Sequence, residues 1–226
     1  MANSIDSHTT PKTTSTQRIR QATRERREQE KQELSHTILQ AAAELFLEQG
    51  YEHFSLRQVA ERIGYAPGTI YLYFKDKDEV LSRLASDGFA RFKQDLATAA
   101  QSEREPLARL RALGRAYITF GMQHPAAYQL MFVQRPEFLI AAQQKDVQCE
   151  PQAEEDEAFR LLEEEVTQAM RAGVIRQGDI YGTCDALWSM VHGIVTLAIR
   201  FPDFGQERLD SATNVVLELL VNGLRP

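Results

Sequence analysis

Apolar residues recur at helical spacing through most of this chain. Leu34, Ile38, Ala41 and Leu45 stand four, three and four residues apart, which predicts a helix from about 34 to 49. The same period predicts further helices over about 77–100, 106–122, 125–133, 154–172, 179–200 and 207–223. The hydrophobic pattern therefore predicts an all-α fold.

Residues 54–80 read as short helices separated by a sharp turn. Ser55 followed by Gln58 is a capping box, so a helix starts near Leu56. Gly64 is a helix stop signal, because glycine enters the left-handed conformation without steric cost. Pro67 suits the first turn of the next helix. Such short helices need neighbours for stability, and their outer side carries Thr, Tyr, Gly and Lys, as expected for a helix-turn-helix that faces a DNA major groove.

The segment AERIGYAPGTIYLYFKDKDEVL resembles the DNA-binding domain of TetR-family transcriptional regulators. The common pattern is Gly-Val-Ser-x-Gly-Thr-Leu-Tyr-x-His-Phe-x-x-Lys. Tyr65 and Ala66 replace its Val-Ser pair, and Tyr73 replaces its His. The resemblance covers roughly 34–80, and the matching residues are Gly64, Gly68, Thr69, Tyr71, Phe74 and Lys77.

The resemblance implies a set of DNA-contacting residues. Arg57, at the start of the second helix, would reach base edges or phosphate. Thr69 and Tyr71 would meet base edges or thymine methyls, while Tyr73 and Lys77 would hold phosphates, which fix register without reading sequence. The full implied set is Ser55, Arg57, Gly68, Thr69, Tyr71, Leu72, Tyr73 and Lys77.

The chain divides into three parts on this interpretation. Residues 1–33 form an N-terminal extension, 34–80 the helix-turn-helix DNA-binding domain, and 81–226 a helical ligand-binding and dimerisation domain. Residues 1–17 are rich in Ser and Thr and are predicted to be disordered. For the Arg-rich residues 18–33 two interpretations stay open: a solvated helix extension or tail, and a basic arm that follows DNA phosphates or enters a minor groove.

The resemblance also implies a mostly apolar pocket for a small hydrophobic effector in the C-terminal domain. The alternative is that the same side chains simply fill the core. A surface loop is predicted over 134–153. The candidate pocket residues are Phe92, Tyr117, Phe120, Tyr128, Met131, Trp188 and His192.

The helix predicted over 179–200 is apolar on nearly every side. Such a helix must be buried all round, so we expect a homodimer through it and the helix at 207–223, docked on a near-palindromic double-stranded operator. The run from Trp188 to Gly193 resembles the Trp-His-Gly signature of one C-terminal domain class in the family.

Charge and chemistry narrow the function further. Residues 1–100 carry 14 Lys or Arg and 14 Asp or Glu, so the net charge of −6 lies in residues 101–226, with 12 and 18. Cys149 and Cys184 show no metal-ligand spacing. The acidic residues at 154–157 and 163–165 are expected to form a solvated face. No catalytic motif, metal site, cofactor, signal peptide or membrane span is predicted, which favours a cytoplasmic DNA-binding regulator over a helical enzyme or a small-molecule binder without DNA.

Overall fold

The computed structural model describes residues 15–133 and 151–226. Residues 1–14 of the segment predicted to be disordered and residues 134–150 of the predicted loop, with Cys149, lie outside them. The remaining residues of these two segments, 15–17 and 151–153, are helical, so both predictions are wrong there. The fold class is confirmed, because the described chain is helical, with no strand in either range. The helices are α1 (Ser15–His53), α2 (Leu56–Ile63), α3 (Pro67–Ile70), α4 (Lys77–Ser102), α5 (Pro106–Gln123), α6 (Pro125–Tyr128, continued by a π-turn over Gln129–Val133), α7 (Pro151–Arg171), α8 (Ile180–Arg200) and α9 (Gln206–Leu224).

Local capping explains where several helices begin and end. The Ser55 side chain accepts a hydrogen bond from the amide of Gln58, and Asp76 accepts one from Glu79. Asp179 caps α8 by accepting from Tyr181. Each cap satisfies an amide that the helix itself leaves unpaired.

Two predicted helix boundaries are wrong. α1 begins at Ser15 rather than near 34, so the Arg-rich segment continues the first helix instead of preceding it. α3 contains only Pro67–Ile70, and a turn follows it. In this turn the amides of Leu72 and Tyr73 donate to the carbonyls three residues earlier, at 3.2 and 2.9 Å. Phe74 still donates from its amide to the carbonyl of Ile70 at 3.0 Å, and both side chains are buried.

A first core holds the helix-turn-helix together. Buried residues of α1, α2 and the α3 turn pack against the start of α4, and Ala126 and Leu130 join them from α6 and its π-turn. The core thus extends beyond residue 80, and the domain boundary at that position stays a prediction. The members on α1 to α4 include Ile38, Leu45, Phe46, Leu56, Val59, Ile70, Phe74, Leu81 and Ala85.

A second core lies between the outer half of α4 and α5, α7, α8 and α9. α4 buries an apolar stripe along its length, and the far half of that stripe enters this core through Phe89, Phe92 and Leu96. Tyr128 and Met131 belong to the same core, although their neighbours Ala126 and Leu130 belong to the first. The segment 125–133 is therefore packed into both cores at once.

One charged residue of α7 is buried, contrary to the sequence-based expectation. Glu165 was assigned to a solvated acidic face, but its side chain is 2% exposed and pairs with Arg109 of α5. Burial raises the pKa of Glu165, and the Arg109 guanidinium opposes that rise. The prediction failed because the pattern of residues along α7 does not show that an arginine from another helix enters this face.

α8 is only partly buried within one protomer. Buried residues such as Cys184, Leu187, Val191 and Val195 alternate with an open side. By length and composition alone, α8 is the single helix among the described residues that could cross a membrane. In its most apolar stretch of 18 residues, 28% of the residues are buried inside the protein. The prediction that this helix is covered on every side is therefore not met within one chain.

Candidate functional site

The turn after α3 exposes apolar side chains on the outer side of the helix-turn-helix. Tyr71 is 56% and Leu72 81% exposed, because Ile70 and Phe74 on either side occupy the core. Gly68 is also exposed, and a Cβ built there would meet nothing within 4 Å. Thr69 and Tyr73 are half-buried beside them. Side chains this apolar and exposed indicate a binding surface.

α2 contributes two of the implied contacts at its first turn. Ser55 is half-buried and bonded to Gln58, with its hydroxyl donating to Oε1 at 2.8 Å. Arg57 is exposed, with Nε 3.2 Å from Oε1 of Glu61. Ser55 is thus already occupied as a helix cap, whereas Arg57 is held only by an exposed ion pair of the kind that contributes little to stability.

Lys77 is the implied phosphate contact whose charged group already has partners. Its Nζ donates to the carbonyl oxygen of Tyr51 at 2.8 Å and lies 4.0 Å from the centre of the Tyr51 ring. Tyr51 is in turn fixed by Asp78, to which its hydroxyl donates at 2.8 Å. Burial and this hydrogen bond raise the pKa of Tyr51 to about 12. Lys77 therefore joins the end of α1 to the start of α4.

Two exposed residues on this face were missed by the sequence analysis. The Lys75 side chain is 82% exposed, and Tyr65, in the turn between α2 and α3, is 46% exposed. Tyr65 stands where the family pattern has valine, and that departure was the available signal. We expect both to meet DNA with Tyr71 and Leu72, and we call the whole expected set the recognition face: Arg57, Tyr65, Gly68, Thr69, Tyr71, Leu72, Tyr73 and Lys75.

A cavity of about 430 Å³ opens in the second core. Its walls come from α4, α5, the π-turn, α7, α8 and α9, and they are apolar apart from Tyr117, Trp188 and two arginines, Arg111 and Arg160. The remaining lining residues are Phe89, Phe92, Leu96, Leu110, Leu113, Gly114, Phe132, Ala158, Phe159, Leu162, Leu187, Val191, Leu220, Val221 and Leu224.

The structure separates the seven candidate pocket residues into two groups. Phe92, Tyr117 and Trp188 line the cavity. Phe120, Tyr128, Met131 and His192 do not; the first three are at most 1% exposed and fill the core behind the cavity wall. Three of the seven thus line this cavity, and contact with an effector stays a prediction for all seven. Aromatic and Met positions look alike in a sequence whether they face a cavity or close-packed neighbours.

The polar candidates form a chain of hydrogen bonds behind that wall. Trp188 donates from Nε1 to the Tyr117 hydroxyl at 3.0 Å, and Tyr117 donates to the Tyr128 hydroxyl at 3.3 Å. The Tyr128 hydroxyl lies 2.6 Å from Nδ1 of His192 and donates to it in the neutral tautomer that carries its proton on Nε2. Burial lowers the pKa of His192 and raises those of both tyrosines, so all members are neutral near pH 7.

Two family models match this chain, one over the helix-turn-helix and one over the C-terminal helices. The model for bacterial regulatory proteins of the tetR family matches residues 38–84, and the tetracyclin repressor-like C-terminal domain matches 110–224. The chain belongs to the TetR family. It is a DNA-binding transcriptional regulator, as the resemblance implied; the Trp-His-Gly subclass stays a prediction.

Similar proteins cover nearly the whole described chain. The fatty acid metabolism regulator protein of Bacillus subtilis is 25% identical over 194 residues, covering 83% of this chain and 93% of that protein. FadR from Bacillus subtilis, solved in complex with stearoyl-CoA, superposes with a TM-score of 0.68 at 23% identity, covering 84% and 99%. AibR, solved with isovaleryl coenzyme A and operator DNA, gives 0.67 at 21%, covering 83% and 97%. These similarities show a shared fold.

Proposed function

We propose that this TetR-family protein is a homodimeric repressor that leaves a near-palindromic operator in the cytoplasm when an apolar effector fills the 430 Å³ cavity. One observation carries the proposal. Phe89 and Phe92 line the cavity on α4, and the same helix begins at Lys77 against the recognition face. A ligand that moves the outer half of α4 would therefore move the recognition face as well.

The segment 125–133 supplies a second connection between the two sites. Ala126 and Leu130 pack in the first core, whereas Tyr128 reaches the cavity wall through Tyr117. Because coupling is a free energy shared by both sites, an effector that weakens operator binding must itself be bound more weakly by the DNA complex. A coupling of about 1–3 kcal/mol changes operator affinity by roughly 5- to 150-fold.

The cavity chemistry favours an effector with an apolar chain and an anionic head. Aromatic and aliphatic side chains form most of the lining, and Arg111 and Arg160 are its two charged residues. Guanidinium groups bind carboxylate and phosphate in a bidentate manner. Since FadR and AibR were solved with acyl-CoA molecules, we propose an acyl thioester of coenzyme A as the effector class.

The open side of α8 and α9 supports the homodimer. Leu197 on α8 is 47% exposed, and Val215 and Leu219 on α9 are 53% and 58% exposed. Gly193 lies on α8 one turn before Leu197, and a Cβ there would meet nothing within 4 Å. Two copies of this exposed apolar surface can pack as a four-helix bundle around a two-fold axis.

The test measures operator binding with and without effector. Fluorescence anisotropy with the DNA upstream of the protein's own gene should show tight binding. An acyl-CoA series of increasing chain length should weaken it, and coenzyme A alone should not. Arg111→Ala should weaken the acyl-CoA effect. Arg115→Ala, one turn further along α5 and outside the cavity lining, is the matched control.

Two outcomes would contradict the proposal separately. If a selection from genomic fragments enriches no upstream DNA, the repressor role is rejected. Binding of acyl-CoA, seen by thermal shift, with no change in operator affinity would reject the coupling and leave DNA binding intact. Displacement of the DNA by coenzyme A alone would show that the apolar cavity is not the effector site.

A further inference from the structure

The first 19 residues of α1, from Ser15 to Glu33, extend the DNA-binding unit beyond the family match, which starts at residue 38. Every side chain from Ile19 to Glu33 is exposed. This N-terminal arm, defined as residues 19–33, thus makes no core contact. Its helix is supported by pairs four residues apart, such as Gln21 with Glu25 at 2.9 Å and Arg26 with Glu30 at 3.4 Å.

Four cations of the arm share one face of the helix. They follow one another at spacings of four, three and four residues, so at about 100° per residue they fall within an arc of about 60° and along roughly 16 Å of the axis. None of the four glutamates of the arm falls within that arc. We call this face the basic stripe: Arg20, Arg24, Arg27 and Lys31.

The basic stripe is not neutralised by the protein. Among the described residues its four members form no salt bridge, although Arg26, on another side of the same helix, pairs with Glu30. A solvated helix that only needed solubility would gain by pairing its charges at four-residue spacing. Glu28 stands four residues after Arg24 and Glu30 three after Arg27, yet neither pairs with the stripe in the structure. The glutamates lie outside its arc, and four like charges stay side by side at a repulsive cost. That arrangement favours a polyanionic partner.

The chemistry of the arm selects DNA among polyanions. Ile19 is the only large apolar residue in it, so the arm has no apolar face to enter a membrane or a hydrophobic groove. A DNA duplex carries one negative charge per roughly 1.7 Å of its axis, which a 16 Å row of cations can follow. The arm is also continuous with the helix that packs behind α2 and the recognition face.

We propose that the basic stripe binds the phosphate backbone of DNA flanking the operator half-site. This interaction rests on the proposed operator binding and adds to it a sequence-independent contact. Its contribution is electrostatic: cations that neutralise phosphates release condensed counterions, and the slope of log K against log salt steepens by about 0.9 for each phosphate. Four contacts per arm would account for a slope of about 3 to 4.

The experiment compares full-length protein with a variant in which the stripe is neutral: Arg20→Gln, Arg24→Gln, Arg27→Gln and Lys31→Gln. Operator affinity is measured between 50 and 200 mM salt on two duplexes, one ending at the half-sites and one extended by random sequence on both sides. Wild-type protein should bind the extended duplex more tightly. The neutral variant should lose this preference and show a salt slope flatter by about 3 to 4 per arm.

A charge-conserving variant provides the matched control. This variant exchanges two pairs of neighbouring residues: Arg24→Glu with Glu25→Arg, and Arg27→Glu with Glu28→Arg. The exchange keeps the composition and net charge of the arm but places two glutamates on the stripe. If position on the helix matters, this variant should lose the flank preference as fully as the neutral one. If it keeps wild-type behaviour, net charge alone acts and the proposal is overturned. Helicity by circular dichroism should be wild-type in both variants, because Gln and Glu are good helix formers.

The result separates this proposal from the proposed function. The proposal for the basic stripe alone is overturned by one combination of results. In it, wild-type protein binds the short operator, the neutral variant has the same salt slope, and neither protein prefers the extended duplex. Wild-type protein that binds neither duplex overturns operator binding itself. Arg26→Gln, off the stripe, should change the slope by less than the contribution of one phosphate, and a change as large as that of Arg24→Gln would contradict the assignment of the face.

Discussion

At the scale of single residues, Tyr71 contributes exposed apolar surface and no core packing. Tyr71→Ala should therefore lower operator affinity by roughly 1–3 kcal/mol if it contacts a base, while the thermal midpoint changes little, since exposed substitutions rarely exceed about 0.5 kcal/mol. Anisotropy titration and thermal denaturation measure the two effects. Leu47→Ala, at an apolar α1 residue that is 40% exposed, should leave operator affinity unchanged.

The two lysines at the start of α4 should behave differently. Lys77 is bonded to Tyr51, so Lys77→Ala should lower the thermal midpoint by breaking the contact between α1 and α4. Lys75 is 82% exposed, so Lys75→Ala should leave the midpoint unchanged and flatten the salt dependence of DNA binding by about one. If Lys77→Ala flattens the salt dependence and keeps full stability, its ammonium binds phosphate in the complex, as the family resemblance implies.

His192 should make the free energy of unfolding depend on pH. Burial lowers its pKa below the ordinary value of 6.5. The unfolded chain then binds a proton at a pH where the folded chain does not, so stability is full above 6.5 and is lost as the pH falls through the window between 6.5 and the lowered pKa. Burial also lowers the pKa of His124. Thermal midpoints of wild type and His192→Gln from pH 7.5 to 5.5 should show a smaller loss in the variant; equal losses would assign the effect to His124.

At the scale of secondary structure elements, α4 and α6 approach so closely that only glycine fits at their crossing. A Cβ on Gly88 would lie 2.8 Å from Sδ of Met131 and 2.9 Å from Cβ of Ala127. Gly88→Ala should push the two helices apart and cost about 1–3 kcal/mol of stability, and it should alter how strongly the effector changes operator affinity. Gly178→Ala, where a Cβ meets nothing within 4 Å, is the control. Unchanged stability and coupling would show that the crossing relaxes freely.

The sequence predicted elements well where a local signal marks them. Ser55 and Gly64 correctly marked the two ends of α2, because capping is local chemistry. The start of α1 was missed because a polar helix has no apolar period to detect. The cavity was only partly predicted: Phe92 and Phe120 both belong to apolar stripes, and only the packing of other helices leaves space beside Phe92.

At the scale of the whole molecule, the uncovered apolar side of α8 and α9 implies a second copy. Leu219→Glu places a charge on that surface and should yield monomers in sedimentation at micromolar concentration, with operator binding lost. Gln206→Glu adds the same charge on the opposite side of α9 and should stay dimeric. A wild-type protein that sediments as a monomer would refute the interface, and a dimeric Leu219→Glu would place it elsewhere.

The half-covered state of α8 also determines what a melting temperature means for this protein. If folded chains persist mainly as pairs, unfolding changes the number of particles, and mass action then makes the midpoint rise with protein concentration. A single free energy of unfolding per chain would not describe such a molecule. In a cell, the fraction of regulator that survives proteolysis would depend on how much of it is already present.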